Sequence, residues 1–96
     1  DASIKADLRA TATAVETYYV DHQAYPAGNA SWAPGTHLIG AETLFISPGN
    51  TVNYVDPTTY GISGAYCLYA SNADGSQTFV FMSDRGYLQP ASVTSC

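Results

Sequence analysis

Apolar side chains recur at Ile4, Leu8, Ala12, Val15 and Tyr19, in steps of four, four, three and four, with Tyr18 and His22 beside the same stripe. This spacing holds one face of a 3.6-residue period, and neither Pro nor Gly interrupts it, so it predicts a single helix over residues 2–22. About twenty residues at 1.5 Å each make a rod of about 30 Å, long for so short a chain. Asp1 or Ser3 is placed to cap its start, Asp7 lies towards the positive end of its dipole, and Pro26 stops it at or before Tyr25. Alanine and threonine alternate from Ala10 to Ala14. Threonine is a modest helix former, so packing must hold this segment, and its small side chains let another element approach closely.

Beyond Tyr25 the pattern becomes turn-rich and β-prone. Residues 27–40 contain Gly28, Asn29, Pro34, Gly35 and Gly40 without a clear period. They read as a loop packed down through Trp32, Leu38 and Ile39. Residues 41–47, with the run Leu44-Phe45-Ile46, read as a strand or a short helical turn closed by Pro48-Gly49. Residues 51–56 set Val52 and Tyr54 against Asn53 and Val55, a short strand, and residues 57–64 form another loop. The strongest hairpin joins 65–71 to 77–83 through Asn72-Ala73-Asp74-Gly75, with Gly75 expected at positive φ. Ala65, Cys67 and Tyr69 share one face, opposite Tyr66, Leu68 and Ala70; Phe79 and Phe81 oppose Val80 and Met82. Both faces are apolar, so one should cover the helix and the other should lie under a loop or a neighbouring molecule. Asp84-Arg85-Gly86 turns into a last strand at 87–89, and a tail runs from Pro90 to Cys96.

The expected fold class is α+β: one long N-terminal helix packed against a small antiparallel β-sheet. It forms a single domain with helix 2–22, loop 23–50 and a sheet with C-terminal region over 51–96. Composition narrows what such a domain can do. Three basic residues, Lys5, Arg9 and Arg85, stand against eight acidic ones, for a net charge of −5. No basic surface large enough for a phosphate backbone can form, which argues against nucleic-acid binding by this domain. Eight tyrosines in 96 residues, together with many Ser, Thr and Asn, make a polar but weakly charged surface of the kind found on extracellular and assembling proteins. The residues include no signal peptide and no membrane-spanning run. A helix already on period at its first residue leads to the expectation that more helix precedes it.

Cys67 lies in a predicted central strand and Cys96 ends the chain. A bond between them would close a loop of about 30 residues, anchor the tail and contribute about 3–4 kcal/mol. It would also imply an oxidising location. The alternative is a buried Cys67 and an idle Cys96, both free thiols.

Candidate chemistry is sparse. His22 sits at the helix end, where the dipole favours it, and His37 sits in a loop; no serine occupies a G-x-S-x-G elbow, and Gly61-Ile62-Ser63-Gly64 does not match one. Two histidines and two cysteines lack zinc spacing. Asp56, Asp74 and Asp84 fall in turns that a hairpin fold can bring together as calcium ligands, though no D-x-D-x-D-G loop is present; otherwise they are solvated turn residues. No cofactor is expected. Asn29-Ala30-Ser31 fits a short glycosylation acceptor pattern. Lys5, Arg9, Glu16 and Asp7 mark a polar helix face. Lys5 and Arg9 form a like-charge i,i+4 pair, which fits either an acidic group on another subunit or plain solvation.

The stretch Ile4-Lys5-Ala6-Asp7-Leu8-Arg9 through Val15-Glu16-Thr17-Tyr18-Tyr19, with its exit Asp21-His22-Gln23-Ala24-Tyr25-Pro26, resembles the second half of the helix in type IV pilins and type II secretion pseudopilins. Residues 4–26 carry the resemblance; beyond them it is architectural, in the hairpin and the C-terminal cysteine, which is similar to the disulfide bounding the variable region of many pilins. The resemblance implies a non-enzymatic subunit of a thin surface filament. It implies an apolar helix half, cleaved from its leader and first anchored in the membrane, that these residues do not include. Partners would be further copies, related pilins and an assembly machinery, and the location would be extracellular. Ile4, Leu8, Val15 and Tyr19 would face the sheet, with Lys5 and Arg9 on or near the subunit contact side. A secretion pseudopilin, or a small secreted binding module or adhesin, is the alternative.

Overall fold

The computed structural model describes residues 2–75 and 77–96; the candidate cap Asp1 lies outside the described residues. The helix α1 runs over Ala2–His22. Ile4, Leu8, Ala12 and Val15 are buried as the period requires, and Asp7, Thr11 and Ala14 are buried with them. Leu8 and Val15 are fully enclosed, each worth about 1.5–3 kcal/mol relative to exposure. Tyr19 departs from the expectation. It is 39% exposed, because the stripe has drifted past the sheet by the last turn, and its ring lies 4.7 Å from Tyr25 instead. Gln23 ends the helix in the left-handed conformation, donating its N–H to the Tyr19 carbonyl at 2.7 Å.

Seven strands follow: β1 Ala30–Trp32, β2 Gly35–Ile39, β3 Glu42–Ile46, β4 Asn50–Val55, β5 Cys67–Asn72, β6 Thr78–Met82 and β7 Tyr87–Leu88, with a one-turn helix α2 at Pro57–Tyr60 between β4 and β5. The main sheet is antiparallel in the order β1-β4-β5-β6-β7, and β2-β3 form a separate hairpin. The fold is therefore α+β as expected, with the strands at 51–56, 65–71, 77–83 and 87–89 found close to their expected bounds.

Of the region expected to be loop, 23–50, residues 42–46 form β3, the strand alternative expected for 41–47, whereas 27–40 is not a loop but holds β1 and β2, and β4 begins at Asn50. The β2-β3 hairpin turns at Gly40, where φ is 60° and a Cβ would stand 2.9 Å from the Tyr18 ring. Glycine alone fits a turn seated that closely on the helix. Trp32 and Ile39 pack as expected, but Leu38 is exposed. At the β5-β6 turn Gly75 does not take positive φ; Asn72 shapes the turn, its Oδ1 accepting from the Asp74 N–H at 2.8 Å and its carbonyl from the Gly75 N–H at 3.0 Å.

One face of the sheet is apolar and covered by α1; the other is apolar and covered within the chain around Cys67, while Tyr69 on the same face is 37% exposed. Val52, Tyr54, Leu68, Ala70, Phe79 and Phe81 join the α1 stripe in the main core. On the other face Cys67, Val80 and Met82 pack with Val55, with Tyr60 from α2 and with Val93 from the tail. Cys67 and Cys96 are disulfide-bonded, with Cα atoms 6.1 Å apart, so the bond holds the tail over this second core.

Asp7 corrects the reading of α1. It is not on a solvated polar face but 5% exposed in the junction between helix and sheet. Its carboxylate accepts from the Ser47 N–H at 2.9 Å, the Ser47 hydroxyl at 3.0 Å and the Asn50 side-chain amide at 2.8 Å. Asn50 is fully buried and in turn accepts from the Asn72 amide at 2.6 Å. The other candidate cap, Ser3, lies inside the helix, where its hydroxyl accepts from Asn50 at 3.2 Å.

Reduction of the disulfide is expected to lower unfolding stability by about 3–4 kcal/mol and to release the tail from Val80 and Met82. Urea unfolding with and without reductant measures the loss. A difference below about 1 kcal/mol would show that the tail holds without its bond.

Candidate functional site

Two surfaces of α1 remain after the core is closed. The first is an outer ridge of Ala6, Ala10, Thr13, Thr17 and Val20, exposed except for the half-buried Thr17. Its hydroxyls turn back on the helix: Thr13 donates to the Arg9 carbonyl at 3.0 Å and Thr17 to the Thr13 carbonyl at 2.9 Å. The ridge therefore presents methyl groups, carries no charge of its own and has little steric height; its Thr13, Thr17 and Val20 also border the second surface.

The second is a groove of about 720 Å³ between α1 and the end of the sheet. Arg9, Thr13, Glu16 and Val20 line the helix wall. Tyr66, Phe81, Ser83, Asp84 and Tyr87 form the other side, and Tyr25 closes one end. Glu16 is the chemical centre. The Tyr25 hydroxyl donates to its two carboxylate oxygens at 3.2 and 3.1 Å. Burial first, and then Glu16, push the Tyr25 phenol up to about 12. The Tyr66 phenol is raised further, again by burial and then by Glu16. Its hydroxyl is buried near the Glu16 carboxylate, with no well-aligned hydrogen bond among the described residues. Tyr87 holds φ at 77°, rare for a side chain of this size. The Gln89 side-chain amide braces that conformation, donating to the Tyr87 carbonyl at 2.9 Å and the Arg85 carbonyl at 2.8 Å.

The residues singled out from sequence are distributed as follows. Ile4, Leu8 and Val15 are core packing residues. Lys5 is half-buried, its ammonium 5.2 Å from the centre of the Phe79 ring, so it is partnered within its own chain. Arg9 is exposed in the groove wall. His22 donates from Nδ1 to the Tyr18 carbonyl at 3.0 Å and stacks on the Tyr18 ring. His37 donates from Nε2 to the Ala33 carbonyl at 2.6 Å. Asn29 is exposed, and its Oδ1 accepts the Asp56 N–H at 3.0 Å.

The three turn aspartates have separate surroundings. Asp84 accepts from the Tyr60 hydroxyl at 2.7 Å, and burial followed by this carboxylate raises the Tyr60 phenol. The Asp74 N–H is tied to Asn72 and its side chain is exposed. Asp56 is not solvated: it caps α2, accepting the Thr59 N–H at 2.8 Å, and accepts the Gly28 N–H at 2.8 Å with its other oxygen. Among the described residues no three His, Cys, Asp or Glu side chains gather as metal ligands. The groove was missed from sequence because Glu16, Tyr25, Tyr66 and Tyr87 lie on four different segments, and only Tyr25's place after the helix exit hinted that it returns to α1.

No family model, no curated protein and no solved structure matches this chain.

The Asp56 carboxyl sits below its ordinary range, held there by the Thr59 and Gly28 N–H groups. A depressed folded value contributes stability that is complete above the ordinary pKa of about 3.9 and is lost as pH falls through the folded value. Asp56→Asn is expected to flatten the acid side of the Tm-against-pH curve between about pH 5 and pH 2. An acid side parallel to that of the native chain would place the pH dependence elsewhere.

Proposed function

We propose that this chain is a structural subunit of a pilin-like surface filament, non-enzymatic, assembling with other copies through α1. The observation that carries the reading is the outer ridge of α1. A helix ridge of small, uncharged side chains satisfied in their own hydrogen bonds, flanked by the exposed Arg9 and Glu16, is built for close approach by another helix. At about 1.5 Å per residue, 21 residues span about 31 Å, most of the molecule's longest dimension of 36 Å. A ridge of that length allows contact with more than one neighbour. The crosslinked tail supports an oxidising, extracellular setting. Both histidines bond main-chain carbonyls, which supports a non-catalytic role. No helix among the described residues is long and apolar enough to cross a membrane.

Substitution Ala10→Arg in cells carrying the native gene tests the assembly role. The position is exposed and arginine is a good helix former, so the Tm of the purified chain should move by no more than about 2 °C. Filaments recovered by shearing and counted by electron microscopy should fall at least about tenfold, as a charge and a long side chain enter a close helix contact. Unchanged filament yield would remove α1 from the assembly surface.

A further inference from the structure

We propose that the groove between α1 and the β6-β7 end of the sheet is a binding site for a small organic ammonium ion, such as a quaternary or methylated amine. This does not rest on the filament reading. A volume of about 720 Å³ in an open groove leaves ample room for a small ligand. The walls select the chemistry. Tyr25, whose hydroxyl donates to the Glu16 carboxylate, and the exposed Tyr87 ring supply aromatic surface, and Asp84 adds a second carboxylate to the lining. Aromatic faces beside a carboxylate attract a weakly hydrated cation through ring quadrupole and charge together.

A further observation points to a ligand rather than to an idle crevice. Tyr87 keeps its ring against Phe81, with centroids 5.5 Å apart, at the expense of a positive φ that Gln89 braces. Backbone strain of this kind persists where the surroundings over-determine it, and it collects at binding sites.

Other ligand classes fit less well. An anion would meet two carboxylates, Glu16 and an Asp84 that lies 3.9 Å from Arg85, and one lining cation, Arg9, which is seven residues from Glu16 and so about 10 Å along the helix axis. A hard metal ion requires a cluster of oxygen ligands, whereas no three acidic or metal-binding side chains gather among the described residues. A purely apolar guest would leave Glu16 without the charge it can pair.

Titration of the intact ¹⁵N-labelled chain with choline chloride, with its uncharged isostere 3,3-dimethyl-1-butanol and with sodium acetate tests the proposal. Choline should give saturable amide shifts at Glu16, Gly64 and Tyr87 with a Kd in the millimolar range or tighter. The isostere should bind at least about fivefold more weakly, and acetate should not saturate. Glu16→Gln and Tyr87→Ala should each weaken choline at least about threefold, with the β4 and β5 amide shifts unchanged. If Tyr87→Ala does not fold, Glu16→Gln decides alone, since that side chain is exposed and glutamine still accepts from Tyr25. Binding of the isostere as tight as choline, preference for acetate, no saturation below about 50 mM choline, or native affinity in a folded variant would each overturn the assignment. The assay uses the isolated chain, so its outcome is separate from that of the filament count.

Discussion

One carboxylate fixes how the helix meets the sheet. Hydrophobic burial of Ile4, Leu8 and Val15 drives α1 onto the strands, but apolar contact is tolerant of sliding and rotation. Asp7 is not. Its three donors come from Ser47, just after β3, and from Asn50, the first residue of β4. Asn72, the last residue of β5, completes the chain of bonds through Asn50. A helix displaced by one residue would leave a buried carboxylate and the buried Asn50 amide unpaired, each a cost of about 1–3 kcal/mol or more. The network thus sets the register between helix and sheet, in the way buried polar groups fix register elsewhere.

Everything distal to that junction is held by less specific means. The far end of α1 is closed by stacked aromatics, Tyr18 on His22 and Tyr19 beside Tyr25. Tyr25 carries the contact on to Tyr66, and Tyr66 to Tyr54. Rings joined this way cover area with few rotatable bonds and leave hydroxyls at the rim. The groove opens in this region, where packing is aromatic and a carboxylate is at hand. The opposite face of the sheet is secured by α2 and by the crosslinked tail. The two ends of the molecule therefore differ in kind: one hydrogen-bonded and polar at its centre, the other aromatic and open.

The helix was legible in sequence because a 3.6-residue period over five turns has few competing explanations, and Ile4, Leu8, Ala12 and Val15 lie where it put them. The β5-β6 hairpin was legible through its turn and its alternation. The β2-β3 hairpin was not. Leu38 and Phe45 point outward and His37 inward, so apolar and polar positions do not separate by face and the period-two signal cancels. Tyr19 was misplaced because the stripe outlasts the sheet beneath it. Asp7 was unreadable for a different reason: an acid in the second turn satisfies the helix dipole whether it is solvated or buried, and only the positions of Ser47 and Asn50 in space distinguish the two. Of the candidate surfaces, the alanine–threonine run was visible as a place of close approach. The groove joins side chains from segments that only folding brings together.

The central claim is that Asp7 and Asn50 act as one unit across the helix–sheet junction. A double-mutant cycle on Asp7→Ala and Asn50→Ala, followed by urea unfolding, measures it directly. A coupling energy of about 1.5–3 kcal/mol is expected for a buried hydrogen bond to a charged group. Losses that simply add, with coupling within about 0.3 kcal/mol of zero, would mean that the helix is placed by apolar packing alone.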